Sequence, residues 1–546
     1  IMSIFNPIVQ RFNVSRNNHD LSHNHLYTMK MSRLTPVMCV ETMPGDRFQI
    51  GNIAIARFQP MFAPVMQRLK LKFTTFYVPY RALYDMWMKF IPSAGQYDLD
   101  PTKIKEFPTA SWDKLVQVYE SVNGTLDYNS SKWCCNNLLS RFRYARTSKP
   151  LNIAPLIAYY LIWSEWFRNQ NIQDEVDPDM FWKMEGSQDS NDALWALMNG
   201  FRLKNVNWRQ DYLTASQPWS QKGQEVVIPI NASMPEFILE AQQTLGNSFL
   251  GGNGTSSNIV RNVQGRQRNQ SDVIDTLSTQ ATTTLTFQAI DPETNKPVSF
   301  QSQLTINDLR WSNAIQKLLE RRAAGGTRYV EYLLMEHATK LSNKVARRPE
   351  YVCGSSIPIQ IGEVLQTSAS ETDSALGRLA GSGYAKGTAA NGNYYCDEHG
   401  ILMTLCWMMP QTAYMHGMPR YLTKTKPLDF PLPAFQHLGL QEVFNYEAGK
   451  CNNNDPDGVF GYMGRYDDLR THVDVVSGNF VNNLREWHMA RNNQDVNLND
   501  SFITAGPGTI NRVFNVTNTE DDDVLINAHH HIVVKRNLSK YASPKL

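Results

Sequence analysis

Through the first 80 residues, apolar side chains recur at every second position. Phe48 and Ile50, then Ile53 and Ile55, alternate with polar or small residues, and Leu69, Leu71 and Phe73 alternate with Lys70, Lys72 and Thr74. A period of two, rich in β-branched and aromatic residues, predicts half-buried strands. Pro44-Gly45-Asp46 and Gln59-Pro60 interrupt the runs where the chain must reverse. After Pro79 the period lengthens. Leu83, Trp87 and Phe90 fall on one side of a short amphipathic helix that Pro79 opens and Pro92 closes. Tyr160, Trp163 and Phe167 predict a second helix over about 154–170. A third begins at Thr305-Ile306-Asn307-Asp308, which reads as a capping box, and carries Leu309, Ile315, Leu318 and Leu319 before Gly325-Gly326 stops it. A fourth follows from Thr327.

Residues 224–303 are rich in Ser, Thr, Asn, Gln and Gly. Gly251-Gly252-Asn253-Gly254-Thr255-Ser256-Ser257 reads as a loop tip, and Thr282 to Phe287 as a short exposed strand. The segment is predicted to be a surface insertion. Gly377 to Gly392, with five glycines among sixteen residues, reads as a second flexible stretch. Strand signals then return. Ile401 to Met408 is a continuous apolar run between His399-Gly400 and Pro410, as a buried strand would be. Val524 to Val534 alternates and reads as the last strand. Strands at both ends of the chain must pair to close a sheet. The expected fold class is therefore mainly β: an antiparallel β-sandwich with Greek-key or jelly-roll wiring and long helical and loop insertions.

Of the 546 residues, 42% are hydrophobic and 19% charged, with a net charge of +2. The hydrophobic share can build a core, and the low charge argues against a disordered chain. No apolar run reaches membrane-spanning length, so no membrane insertion is expected. The opening Ile1 to Pro7 lacks the basic-then-apolar pattern of a secretory signal. The seven cysteines are odd in number and form no Cys-x-x-Cys pair, which supports neither a disulfide framework nor a zinc ribbon.

The chain carries no P-loop, no His-Glu-x-x-His and no Gly-x-Ser-x-Gly elbow. Three weaker signals remain. His529 and His531 share a strand face and could form a metal pair, but no third ligand is identifiable. Asn453-Asn454-Asp455-Pro456-Asp457-Gly458 resembles the start of a calcium loop, yet its twelfth position is Gly464 rather than Glu, so a plain turn is favoured. Neither signal warrants a metal or cofactor. Charge, finally, is uneven: residues 1–90 hold 11 Lys and Arg against 4 Asp and Glu, and Lys535, Arg536, Lys540 and Lys545 close the chain without an acid. Arg11, Arg16, Lys535 and Arg536, near Phe12, Tyr27 and Tyr541, are the candidates for nucleic-acid contact.

The ordered motifs are more specific. Ser15-Arg16-Asn17-Asn18-His19-Asp20-Leu21-Ser22, Pro44-Gly45-Asp46, Ala63-Pro64-Val65-Met66 and Phe76-Tyr77-Val78-Pro79-Tyr80-Arg81 come first. Trp166-Phe167-Arg168-Asn169-Gln170-Asn171, Asp211-Tyr212-Leu213-Thr214 and Pro218-Trp219 follow. Thr305 to Arg310, Leu318-Leu319-Glu320-Arg321, Gly325 to Tyr329, Arg348-Pro349-Glu350-Tyr351 and Gln366-Thr367-Ser368 come next. Glu398-His399-Gly400, Gly417-Met418-Pro419-Arg420 and His437-Leu438-Gly439 complete the series. This colinear set resembles the major capsid proteins of the microviruses, small single-stranded DNA bacteriophages, and most of all their gokushovirus-like branch. Asn169 stands where the family usually has Asp, the end Ser543-Pro544-Lys545-Leu546 departs from the family's tail, and residues 224–303 show no match.

The resemblance implies a structural, non-enzymatic shell subunit with a viral jelly roll. It implies a homo-oligomer of the sixty copies that T=1 icosahedral symmetry requires. It also implies a circular single-stranded DNA genome on the inner surface, minor virion proteins as partners, a host cell-surface receptor, and assembly in the bacterial cytoplasm. Residues 1–223 and 304–546 would build the shell domain. Residues 224–303, with Gly251, Gly252, Asn253, Gly254 and Thr255 at a tip, would form a threefold protrusion for host attachment. An aromatic-rich β-sandwich also fits a carbohydrate-binding module. An enzyme is disfavoured for want of a nucleophile–base pair or metal set.

Overall fold

A computed structural model of the chain describes residues 16–93, 107–176, 198–224, 226, 238–243, 263–264, 285–290, 306–343, 345–365, 379–450, 455–516 and 520–541. It divides into two compact units, Ile1–Lys222 with Arg321–Leu546, and Gly223–Glu320. The strands of the first part are β1 (Asn17–Asp20), β2 (His23–Met29), β3 (Thr35–Thr42), β4 (Arg47–Phe58) and β5 (Leu69–Pro79). Two-residue strands β6 (Thr109–Ala110) and β7 (Leu151–Asn152) pair with each other. The Gly223–Glu320 unit holds β8 (Ile238–Gln243), β9 (Val263–Gln264) and β10 (Leu285–Ile290), an antiparallel sheet with β8 in the middle. The strand expected from Thr282 is thus described from Leu285. The chain continues with β11 (Glu350–Pro358), β12 (Gln360–Leu365), β13 (Leu379–Tyr395), β14 (Gly400–Pro410), β15 (Leu440–Phe444), β16 (Val459–Gly464) and β17 (Val524–Arg536).

Mainly β, the first unit is built on two antiparallel sheets. In the larger, β17 is flanked by β4 on one side and by β1 and β2 in succession on the other, and β13 and β12 extend the sheet beyond β4. The two ends of the described chain therefore pair directly, Asn17 opposite Arg536 and Met29 opposite Val524. The smaller sheet runs β11, β5, β14, β3. Their inner faces share buried clusters: Ala54, Ala56 and Ile526 with Leu71, Phe73 and Met408, and Phe48, Ile50 and Ile532 with Tyr77 and Leu402. This is a β-sandwich.

A helical layer covers the other face of the smaller sheet. Ile401, Met403 and Leu405 of β14, with Phe76 and Val78 of β5, pack against the buried helix Ala154–Ile162. Leu402, Cys406 and Met408 point the opposite way, into the sandwich. Both faces of β14 are dry, which is why its sequence is apolar without alternation.

Three expectations need correction. The helix between Pro79 and Pro92 is two short helices, Tyr80–Leu83 and Trp87–Ser93, and Pro92 lies inside the second. The helix predicted over 154–170 ends at Ile162 and continues as a π turn, Trp163–Phe167. The glycine-rich stretch is no loop from residue 379 on: it is β13, hydrogen-bonded to β4 on one side and β12 on the other. Its small residues are close-approach positions. A Cβ on Gly381 would lie 2.6 Å from the Ala63 carbonyl oxygen, and one on Gly392 2.6 Å from Cys353 Cβ. Within β4, the even positions Phe48 to Phe58 face inward, so Asn52 is buried while Ile53 is 44% exposed.

Candidate functional site

The four candidate basic residues do not form one patch. Arg11 lies outside the described residues. Arg16 donates from Nε to Asn537 Oδ1 at 3.1 Å and places its guanidinium beside Gly45. Arg536 is committed to Asp46, Nη2 to Oδ2 at 2.7 Å, with the carboxylate fully buried. Arg16 and Arg536 thus both gather on the Pro44-Gly45-Asp46 turn. Lys535 is turned to the exposed outer face of the larger sheet by the alternation of β17.

On that face Lys535 meets residues that no local signal ties to it. Register places Asn18 and Arg47 on either side of Lys535, and Tyr395 on the far side of Arg47. The Arg47 guanidinium carbon sits 5.6 Å from the Tyr395 ring centroid. These side chains line a groove of about 520 Å³, with Gln49 and Asn393 in the next row.

The histidine run splits by strand alternation. His529 and His531 do share the outer face, where they pair with Asn24 Oδ1 at 2.7 Å and Ser22 Oγ at 3.3 Å. His530 is buried and bonds Asn52 Oδ1 at 2.6 Å. Its ring lies 5.2 Å from that of His23 and 6.3 Å from that of His25. Burial, reinforced by these imidazoles, pushes the His530 pKa down to about 3. Among the described residues no group of three or more His, Cys, Asp and Glu could hold a metal ion.

In the calcium-like segment, Asn453 and Asn454 lie outside the described residues. The rest is a turn entering β16, with Gly458 N donating to the Asp455 carbonyl at 3.4 Å. The protrusion candidates Gly251, Gly252, Asn253, Gly254 and Thr255 also lie outside. No helix among the described residues is long and apolar enough to cross a membrane.

Residues 420–438 carry a feature that periodicity could not flag. Three 3-10 turns, Arg420–Thr423, Pro427–Asp429 and Pro433–Phe435, succeed one another. Their backbone is well held: Asp429 Oδ2 accepts from Thr425 N and Lys426 N, and Leu432 N donates to Tyr466 Oη. Yet Tyr421, Leu422, Leu428, Phe430 and Leu438 are each more than half exposed.

The comparisons with known proteins agree with the motifs. The model of the capsid protein (F protein) family matches residues 8–546. Capsid protein VP1 of Bdellovibrio phage phiMH2K is 29% identical over 524 residues, covering 91% of this chain and 87% of the relative. Capsid protein VP1 of Chlamydia phage 1 is 26% identical over 551 residues, covering 90% and 89%. Capsid protein VP1 of Spiroplasma virus 4 is 24% identical over 519 residues, covering 90% and 88%. The chain belongs to the capsid protein (F protein) family, and its role is structural, in a virion.

Proposed function

We propose that this member of the microvirus capsid family is the major shell subunit of a T=1 icosahedral particle, in which sixty copies enclose a circular single-stranded DNA genome. The family match over residues 8–546 is the observation that carries this reading. The wiring supports a jelly roll. Strands alternate between the sheets as the chain advances, β2 to β3 to β4 to β5 and β11 to β13 to β14 to β17, so each sheet is assembled from both halves of the sequence. The exposed apolar side chains of 420–438 fit a surface that a neighbouring subunit covers.

In the same reading residues 1–223 and 304–546 form the shell domain, and residues 224–303 form a protrusion that contributes to attachment at a host cell-surface receptor. The separate compactness of Gly223–Glu320, a unit that also takes in residues 304–320, supports an inserted unit in this part of the chain. Minor virion proteins would complete the particle, assembled in the bacterial host cytoplasm. Electron microscopy of the purified full chain tests the proposal. Uniform closed particles are expected; a monodisperse monomer at high concentration would overturn it.

A further inference from the structure

Asn18, Lys535, Arg47 and Tyr395 are separated by up to 517 positions (535 − 18) along the chain, yet they form one row across β1, β17, β4 and β13. Lys535 and Arg47 are exposed, and neither is in an ion pair among the described residues. Tyr395 is 45% exposed and is approached by the Arg47 guanidinium. One row further, Gln49 and Asn393 are register partners and both line the groove. The nearby carboxylate, Asp20, accepts from Ser22 N at 2.9 Å, at the margin of the row opposite Val533.

Each group suits a different part of a nucleotide. Two adjacent cations hold a phosphate, an exposed ring offers a base its face, and amides pair with base edges. Strands about 4.8 Å apart put Lys535 and Tyr395 roughly 10 Å from each other, room for a phosphate at one end and a base at the other. In a duplex the base faces are stacked on each other and leave nothing for Tyr395 to stack on. An acidic polypeptide would use the two cations and the amides but brings no base to stack on the ring. Arg16 and Arg536, the other described candidates from the sequence, are engaged at the Asp46 turn.

We infer that this groove binds single-stranded nucleic acid, with phosphate between Lys535 and Arg47 and a base stacked on Tyr395. The inference rests on the reading of the chain as a shell around single-stranded DNA, and it names the place on the subunit where the strand is held.

The test is fluorescence anisotropy of a labelled oligothymidylate with the full-length chain, over a range of salt. The double variant Arg47→Gln/Lys535→Gln should bind about tenfold more weakly at low salt, with a log–log salt slope reduced by about 1.4, two phosphate contacts at ~0.7 each. Tyr395→Leu should weaken binding about tenfold and leave the slope unchanged. Duplex of equal length and polyglutamate should compete poorly. Unchanged affinity in either variant, absence of binding by the wild-type chain, or equal competition by polyglutamate overturns the site. Should a variant fail to fold, photocrosslinking of a 5-iododeoxyuridine oligonucleotide to the wild-type chain decides the matter: an adduct on the Tyr395 peptide is expected, and adducts only elsewhere overturn it. Particle formation is scored separately by electron microscopy. Wild-type particles whose DNA content survives in the double variant defeat the groove and leave the shell intact. Failure of the wild-type chain to form particles defeats the shell reading, and the oligonucleotide data still decide the groove.

Discussion

Asp46 and Arg536 are 490 positions apart and form a closed ion pair in which the carboxylate is inaccessible to solvent. Both Nε and Nη2 of Arg536 reach the carboxylate, and Met43 N donates to it at 2.9 Å. The pair ties the end of β17 to the turn before β4. Removing the cation leaves a buried charge without its partner. Arg536→Ala should therefore cost about 3–5 kcal/mol of unfolding free energy, measured by urea denaturation. A loss below about 1 kcal/mol, accompanied by a fall in bound DNA, would restore Arg536 to nucleic-acid contact.

Two buried groups give opposite pH dependences. The His530 pKa is pushed down to about 3, chiefly by burial, so the unfolded chain takes up this proton first. Its contribution is complete above about pH 6.5 and is lost as pH falls toward 3, by up to about 1.4 kcal/mol per pH unit. The Asp523 pKa is pushed up to about 6, again chiefly by burial and against the pull of Lys30. Its contribution is present below about pH 4 and is lost as pH rises through 6. The stability gap between wild type and His530→Gln should narrow on acidification, and the gap to Asp523→Asn should narrow on alkalinisation. Thermal midpoints between pH 4 and about 7 check this; parallel curves for all three chains would refute the assignment.

Gly381 is a packing glycine. Met61 bridges it in both directions at 3.2 Å, and a Cβ would strike the Ala63 carbonyl. Gly381→Ala should cost about 1–3 kcal/mol through overpacking. Ser382→Ala, one position on and exposed, should stay within about 0.5 kcal/mol. Equal effects at the two sites, by denaturant titration, would mean that the close approach is not what holds residue 381 to glycine.

The exposed apolar surface of 420–438 separates folding from assembly. Leu428 is 76% and Phe430 53% exposed, so replacing both by Ser should leave the thermal midpoint within a few degrees. Particle yield, read by sedimentation velocity, should collapse. Normal particles from the double variant would place the subunit contact elsewhere.

Much of the architecture was legible in local pattern. The strands around Phe48, Leu71 and Ile532 and the helix from Ala154 follow from periodicity, because burying one face imposes a period on the side chains that cover it, while the strand around Met403 follows from an unbroken apolar run, because both of its faces are buried. The β13 strand was not legible, since its inward positions are Gly381, Gly383, Ala385 and Gly387. Alternation of small against larger residues is still a period of two, but it carries no hydrophobic contrast. Basic residues near the termini could be counted, but their partners could not.

What the amino-acid order determined by itself is therefore the β character and, through its colinear motifs, the capsid family. What only the tertiary structure decided is the fate of individual charges. Lys535 and Arg536 are neighbours in the chain, yet one faces a groove with Arg47 and Tyr395 while the other is held on Asp46. Strand alternation, which the local pattern carries, separates adjacent side chains, but the register of strands hundreds of residues apart chooses their company, and that choice is written in no local stretch of sequence.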